Sequence, residues 1–425
     1  MKIILVNPSV GKNMISLIPI GLLYISASLL VEGHVCEIVD LNYDSLEVLE
    51  ARIKIIKPEL IGISVRNIAE TDDMNYIYDS IKEVVNITSR YSKVVLGGSG
   101  FSIFPKTIMS LCKADFGIVG PGETAINYLV KNLHNINRGS IIAMKDDSFI
   151  RSDISMATEY YWLKYGKYHS ICNNPIPIQA TRGCKYNCRY CTYANIVNHS
   201  MQQRPVELVI NETRNLINIT KNKKVYFVDS VLNMDLDYLK KMLRAIIDSD
   251  IICEWQGCIN PIEYDMQLIE LMKKSGCEFC EIGIDSFSNK QLNSLGKSFD
   301  SEQALKLVHM LEKAGIRYSV SLILGGYGET KETLFETIDI AEKNITTSIN
   351  AFIGERIYPK TQLANLLNVD YEETLNSASN KSIYLSKDVL PILKEIIKNS
   401  SPKWNFIGAK IGGKNEFKDI ASYGK

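Results

Sequence analysis

The chain has no excess of charge of either sign. Lys plus Arg and Asp plus Glu number 48 each in 425 residues, so no bulk field draws it to nucleic acid or an anionic membrane. It also lacks an apolar run long enough to span a bilayer. The longest, LIPIGLLYISASLLVEG at residues 17–33, contains Ser26 and Ser28 and fits a buried helix. No secretory leader is read in MKIILVNPSV, a short apolar run ending in Asn-Pro that fits a buried strand. The expected compartment is the cytoplasm. There a disulfide framework is not expected for the ten cysteines, Cys36, Cys112, Cys172, Cys184, Cys188, Cys191, Cys253, Cys258, Cys277 and Cys280. Metal binding, catalysis and core packing remain open for them.

What is present is alternation of strand and helix, twice over. Val- and Ile-rich runs at residues 3–7, 35–40, 60–65, 93–98 and 116–120 are separated by helical segments. This predicts an α/β fold that starts with a doubly wound, flavodoxin- or Rossmann-like parallel sheet over residues 1–137. Ligands of such sheets bind at the carboxyl ends of the strands, where GGSGF (97–101) and GPGET (120–124) fall. Their glycines are either sites of close ligand approach or tight turns before helices.

Residues 138–175 lose periodicity and are read as a linker, with the aromatic stretch EYYWLKYGKYH (159–169) packing between domains. Six further strand–helix units over residues 176–365 predict a partial (β/α)6 barrel of the TIM type, with its chemistry at the strand carboxyl ends. Residues 366–425 read as a small, mostly helical C-terminal segment.

In TRGCKYNCRYCTYANI, at residues 181–196, Cys184, Cys188 and Cys191 follow the first barrel strand directly. A closed structural zinc site wants four ligands, usually as paired cysteines. Three thiols on one loop instead suit an iron–sulfur cluster with one iron left open to a small molecule.

The Cys-x3-Cys-x2-Cys spacing, Tyr190 before the third cysteine and the place after the first barrel strand together resemble the radical S-adenosylmethionine superfamily. The resemblance implies a [4Fe–4S] cluster that binds S-adenosylmethionine and cleaves it to a 5′-deoxyadenosyl radical. It extends over residues 176–365. YFVDSVLN implies Asp229 and Ser230 near the amino group of S-adenosylmethionine, and EIGIDSF implies Asp285 at the ribose. Lys297 stands where a basic residue meets the methionyl carboxylate. SLILGGYGET places Ser321 at a ribose-contact position, with Tyr327 replacing the usual proline, and ERIYPKTQLA points to Arg356.

The first 137 residues are similar to the cobalamin-binding domain of one branch of that superfamily. The similarity implies cobalamin contacts at Pro19, Gly21, Ser64, Gly97, Gly98, Ser99, Gly100, Gly120, Gly122 and Glu123. Pro121 departs from the more usual Gly-Glu-Gly-Glu turn. The Asp-x-His-x2-Gly motif of other cobalamin proteins is absent, and His34 reads as a turn residue.

Of the other cysteines, Cys277 and Cys280 are expected on opposite faces of a strand. Cys258 is expected to line the cavity as a single thiol, and Cys36, Cys112 and Cys172 to pack. The implied reaction is methylation of an unactivated carbon of a small molecule, with an electron donor such as flavodoxin or ferredoxin. The alternative is a radical cyclase, oxidase or rearrangement enzyme, with or without cobalamin. A methylthiotransferase would need a second cysteine triplet, and the N-terminal domain has only Cys36 and Cys112. A regulatory metal-binding module would not need the polar residues at the strand ends. Tyr384, Leu385, Ser386 and Trp404 are expected to face the barrel mouth.

Overall fold

The computed structural model describes residues 1–9, 17–66, 74–145, 148–197, 201–369 and 383–408. The chain forms two compact units. One holds residues 1–180 and 202–223, the other residues 181–201 and 224–425.

The first unit is built on a six-stranded sheet of β1 (Lys2–Asn7), β2 (Val35–Asp40), β3 (Leu60–Ser64), β4 (Lys93–Gly97), β5 (Phe116–Val119) and β6 (Ser140–Ala143), in the order β2-β1-β3-β4-β5-β6. Neighbouring strands pair in parallel. The reason is visible in β1, where Ile3, Ile4, Leu5 and Val6 are all buried, as a strand covered on both faces requires. The apolar run at residues 17–33 forms helix Ile20–Val31.

Residues 138–175, read as a linker, hold two elements of this unit. Strand β6 has no buried residue, two being half-buried and two exposed, an edge pattern that a search for continuous apolar runs passes over. Helix Ser155–Ile171 carries the aromatic stretch and turns it inward on its own unit. Tyr161 donates to Asp40 Oδ2 at 2.7 Å, and Asp40 N–H donates to the Tyr165 hydroxyl at 3.0 Å. His169, fully buried, meets the Tyr161 hydroxyl at 2.8 Å and the Asn174 amide at 3.0 Å. Burial holds its imidazole down at about 4, so it is neutral.

The later strands are β7 (Ile176–Ile178), β8 (Thr181–Arg182), β9 (Gln202–Gln203), β10 (Lys224–Phe227), β11 (Glu254–Ile259), β12 (Cys277–Asp285), β13 (Arg317–Leu324), β14 (Ser348–Ile353), β15 (Glu355–Arg356), β16 (Ile383–Tyr384) and β17 (Trp404–Ile407). A seven-stranded sheet runs β17-β14-β13-β12-β11-β10-β7, and from β10 to β17 its pairs are parallel. The six expected barrel strands are therefore present. The segment expected to be mostly helical adds a seventh, β17, which pairs along β14. Trp404 is turned away from the inner face, buried, and donates from Nε1 to Glu342 on helix Lys331–Asn344 at 2.6 Å.

One face of this sheet is closed by residues such as Trp255, Cys280, Ile282, Val320, Leu322 and Ile349, all fully buried. In a barrel that is the face covered by helices, and the opposite face is the inner wall. Among the described residues no helix is long and apolar enough to cross a membrane.

Candidate functional site

The loop after β8 carries the three cysteines, each half-buried and unpaired with another cysteine. They line one pocket of about 220 Å³ together with Tyr186, Asn187, Ala194, Asn195 and residues 360–362. The loop is fixed from both ends of its turn. Arg189 N–H donates to Leu295 O at 3.0 Å, the Arg189 guanidinium donates to Ser294 O at 2.7 Å, and Leu363 N–H donates to Arg189 O at 2.9 Å. Gly296 is the residue that permits this approach. Its φ is +73°, and a Cβ there would lie 3.1 Å from Asn187 O.

Burial raises the Cys188 thiol and holds the Cys191 thiol up at about 11, while Lys297 pulls both the other way. A bound metal would deprotonate them outright. Among the described residues no three His, Cys, Asp or Glu side chains converge as ligands of a single ion. Three thiols lining one pocket are the donor set that fits a cluster held at three of its irons.

Beside this loop the structure brings together three residues singled out from the sequence. Tyr190 donates to Asp285 Oδ2 at 2.5 Å, and the Lys297 ammonium meets the same oxygen at 2.5 Å and the Tyr190 hydroxyl at 3.3 Å. Both charged side chains are less than a tenth exposed. Burial alone would lower the Lys297 ammonium, but Asp285 and the Cys188 thiol override it and the net shift is upward. Asp285 sits at a strand end with φ +69°, next to a register shift between Gly283 and Asp285 against β13. A bulge of this kind re-aims a side chain, here at the cysteine loop, and the left-handed backbone of a non-glycine residue costs on the order of 1 kcal/mol.

Asp229 and Ser230 are engaged lower in the same loop. Thr181 donates to Asp229 Oδ1 through its N–H and, at 2.7 Å, through its hydroxyl, and the Ser230 hydroxyl donates to Gly183 O at 3.1 Å. Both therefore tie the base of the cysteine loop to the end of β10. Ser321 lies on the inner wall of β13, and Arg356 lies on β15, which pairs with β16. Neither is brought to the Tyr190–Asp285–Lys297 group by any hydrogen bond or ion pair among the described residues.

Two carboxyl groups were not anticipated. Glu329 and Glu355 are each 1% exposed. Glu329 accepts from Gly325 N–H, Glu355 accepts from Tyr327 N–H at 2.7 Å, and Oε1 of each has no partner among the described residues. Burial raises them to about 8 and about 7 respectively. They stand in the GGYGET and ERIYP segments, whose other letters carried the sequence argument. Tyr384 packs on Tyr327 with ring centroids 5.6 Å apart, and the Ser386 hydroxyl donates to Glu329 O at 2.8 Å. Arg204 and Glu212, completely buried and paired at 2.8 Å, were also missed; Arg204 additionally donates to Gln179 O at 2.9 Å, just ahead of the cysteine loop.

The expectation for Cys277 and Cys280 is corrected. Both are buried on one face, with sulfurs 3.4 Å apart. The cause is the register shift between Trp255 and Gln256, which puts Cys277 opposite Trp255 and Phe279 opposite Gln256, and leaves Glu278 as an extra residue. Alternation fails across a bulge. Cys258 keeps to the inner wall.

In the first unit the glycine segments follow β4 and β5; β4 adjoins β3, with Gly97 opposite the terminal Ser64, and β5 lies on the far side of β4. Gly98 has φ +97°, and a Cβ would lie 2.7 Å from Val65 O. A Cβ added at Gly97 would meet no atom nearer than 3.8 Å and one at Gly21 none within 4 Å, whereas one at Gly122 would lie 2.8 Å from the Ile25 side chain. The Ser99 hydroxyl donates to Arg66 O, Gly100 N–H to Val65 O, and Gly120 N–H to the Ser102 hydroxyl. Pro19 precedes the first helix; Gly122 caps helix Glu123–Lys131, and Glu123 is buried in its first turn. His34 is a turn residue whose ring meets the N-terminal amine at 3.3 Å.

A parallel sheet with a glycine-lined carboxyl edge, followed by a partial barrel with a three-cysteine loop, is the arrangement of an enzyme with two cofactor-binding domains. The chain belongs to the radical S-adenosylmethionine superfamily, in the branch with a B12-binding domain: it matches the Radical SAM superfamily over residues 178–341 and the B12 binding domain over residues 15–130. It is 27% identical over 388 residues to an uncharacterized methyltransferase of Pyrococcus horikoshii, covering 85% of this chain and 82% of that one. It is 22% identical to the tryptophan 2-C-methyltransferase of Streptomyces laurentii, covering 85% and 74%. Its fold is that of the radical S-adenosylmethionine methyltransferase TsrM of Kitasatospora setae, solved with cobalamin and a [4Fe–4S] cluster bound. There the TM-score is 0.72 at 19% identity, covering 86% of this chain and 74% of that one.

Proposed function

We propose that the chain is a cobalamin-dependent radical methyltransferase that methylates an unactivated carbon of a small organic molecule. The observation that carries the reading is the convergence of Tyr190, Asp285 and Lys297 beside the three-thiol pocket. Cys184, Cys188 and Cys191 would hold three irons of a [4Fe–4S] cluster, leaving the fourth for S-adenosylmethionine. When bound, these groups supply one-electron cleavage of S-adenosylmethionine, and B12 supplies the methyl group.

The chain's own residues bind and orient. Lys297 presents a buried cation suited to a methionyl carboxylate. Asp285 takes both of its bonds on Oδ2, which leaves Oδ1 for a ribose hydroxyl. Tyr190 braces the pair. Asp229 and Ser230 act as positioning residues, holding the cysteine loop on β10. In the first unit, Ser64 and the glycine segments after β4 and β5, with Pro19 and Gly21, form the edge that would hold cobalamin. A reduced flavodoxin or ferredoxin is the expected electron source.

The test is reductive cleavage. Wild-type protein reconstituted with iron and sulfide, given S-adenosylmethionine and dithionite, should release 5′-deoxyadenosine. A variant with Cys184, Cys188 and Cys191 all changed to Ala should release none, and release by that variant would overturn the reading.

A further inference from the structure

The inner wall of the barrel holds a second polar cluster that the cofactor site does not use. Tyr226 on β10, Cys258 on β11 and Glu281 on β12 are half-buried on three adjacent strands. The Tyr226 hydroxyl donates to Glu281 Oε1 at 3.4 Å, and the Cys258 thiol donates to Oε2 at 3.6 Å. Tyr226 and Cys258 also touch each other, at 3.7 Å. Cys258 pairs with Glu281 in register, and Glu281 pairs with Ser319. All of these belong to the wall opposite the helix-covered face.

The arrangement is electrically unbalanced. Burial, followed by the Glu281 charge, pushes the Cys258 thiol up to about 12, and burial likewise raises Tyr226, so both donors are neutral at physiological pH. Glu281 is the one charged member. Both of its hydrogen bonds are long, and no Lys, Arg or His among the described residues pairs with it. A carboxylate has about four lone-pair sites, so it retains acceptor capacity toward the cavity. A half-buried charge with weak neutral donors and no counter-ion is costly unless something else completes it.

The same wall offers apolar surface. Phe279 lies two residues before Glu281 on the same face of β12. Phe352 on β14, which the register places on that face as well, is 41% exposed. Phe279 beside the carboxylate, with Phe352 further along the wall, supplies aromatic surface that complements an amphipathic cation.

We propose that Glu281, flanked by Tyr226 and Cys258, anchors a cationic amino group of the substrate, so that the substrate class is an organic amine with an apolar body. The proposal rests on reading this barrel as the catalytic one. A charge-assisted bond to the ammonium replaces the two weak neutral ones as the main interaction of the carboxylate, and the neighbouring aromatic wall takes the body of the molecule.

The experiment uses the full chain and two probes that share a phenol ring and ethyl chain and differ by a terminal ammonium, tyramine and 4-ethylphenol, followed by saturation-transfer NMR titration at neutral pH. Wild-type protein should bind tyramine roughly tenfold more tightly than 4-ethylphenol, the size of effect expected for one charged hydrogen bond. Glu281→Gln should remove that preference and leave 4-ethylphenol binding as it was. Cys258→Ser and Tyr226→Phe keep the carboxylate and should keep the preference, which guards against a folding defect in the Gln variant. Equal binding of the two probes to the wild type, no tyramine binding, or an unchanged preference in a folded Glu281→Gln protein would overturn the proposal. Neither probe needs iron or cobalt. If tyramine binds selectively but purified protein holds neither metal, the wall stands and the functional reading falls.

Discussion

Lys297 and Asp285 are the residues whose removal separates binding from assembly. Lys297→Ala should weaken S-adenosylmethionine binding roughly tenfold or more while iron content stays at the wild-type level, because a charged hydrogen bond is lost and no thiol is touched. Equilibrium binding beside an iron assay reads this directly, and unchanged affinity would end the assignment. Glu329 and Glu355 give a second test. Their folded values lie at about 8 and about 7, above those of the unfolded chain. The folded state therefore binds more protons between those limits. Its stability is full at pH below the unfolded carboxyl range, near 4.3, and is lost as pH rises through 7 to 8. Glu329→Gln removes one titration, so its Tm should fall less than that of wild type between pH 5 and 8, by roughly 4 °C or more. Parallel Tm profiles would contradict it. Tyr190, Asp285 and Lys297 were legible because each sits at a motif position whose chemistry is local. Glu329 and Glu355 were not. Local sequence shows that an acid is present, but only tertiary packing decides that it is buried with one oxygen unpaired.

Among the elements, strands with continuous apolar runs were legible and strands at edges were not. Strands β1, β3 and β4 declare themselves by composition, whereas β6 and β17 gain their identity from the neighbour they pair with. The Cys277–Cys280 pair shows the other limit: strict alternation holds only while the ladder is regular, and one bulged residue turned two expected faces into one. Strand β17 is a structural edge. Trp404→Ala removes a buried indole and its bond to Glu342, and should lower stability by roughly 2–4 kcal/mol. Denaturant unfolding followed by the fluorescence of the remaining Trp162 and Trp255 would show it, and a loss below about 0.5 kcal/mol would mean that β17 is dispensable. Removal of residues 366–425 takes away β17 and the buried Leu385, Val389 and Leu393 together. Such a truncation is expected to unfold the second unit and does not isolate a cap over the barrel.

At the scale of the molecule, two units with different chemistry lie on one chain. The parallel character of the first sheet and the six barrel strands could be read from alternation alone. The return of residues 202–223 to the first unit could not, since it depends on buried bonds from Arg204 to Gln179 O and from Ile154 N–H to Glu212. The central claim is that the two units hold different metals. The decisive measurement is iron, sulfide and cobalt per chain, in protein expressed with cobalamin supplied and purified without oxygen. The account predicts about four irons, as one [4Fe–4S] cluster requires, and about one cobalt. Iron without cobalt would contradict the methyl-transfer reading, and protein without iron would contradict the account as a whole.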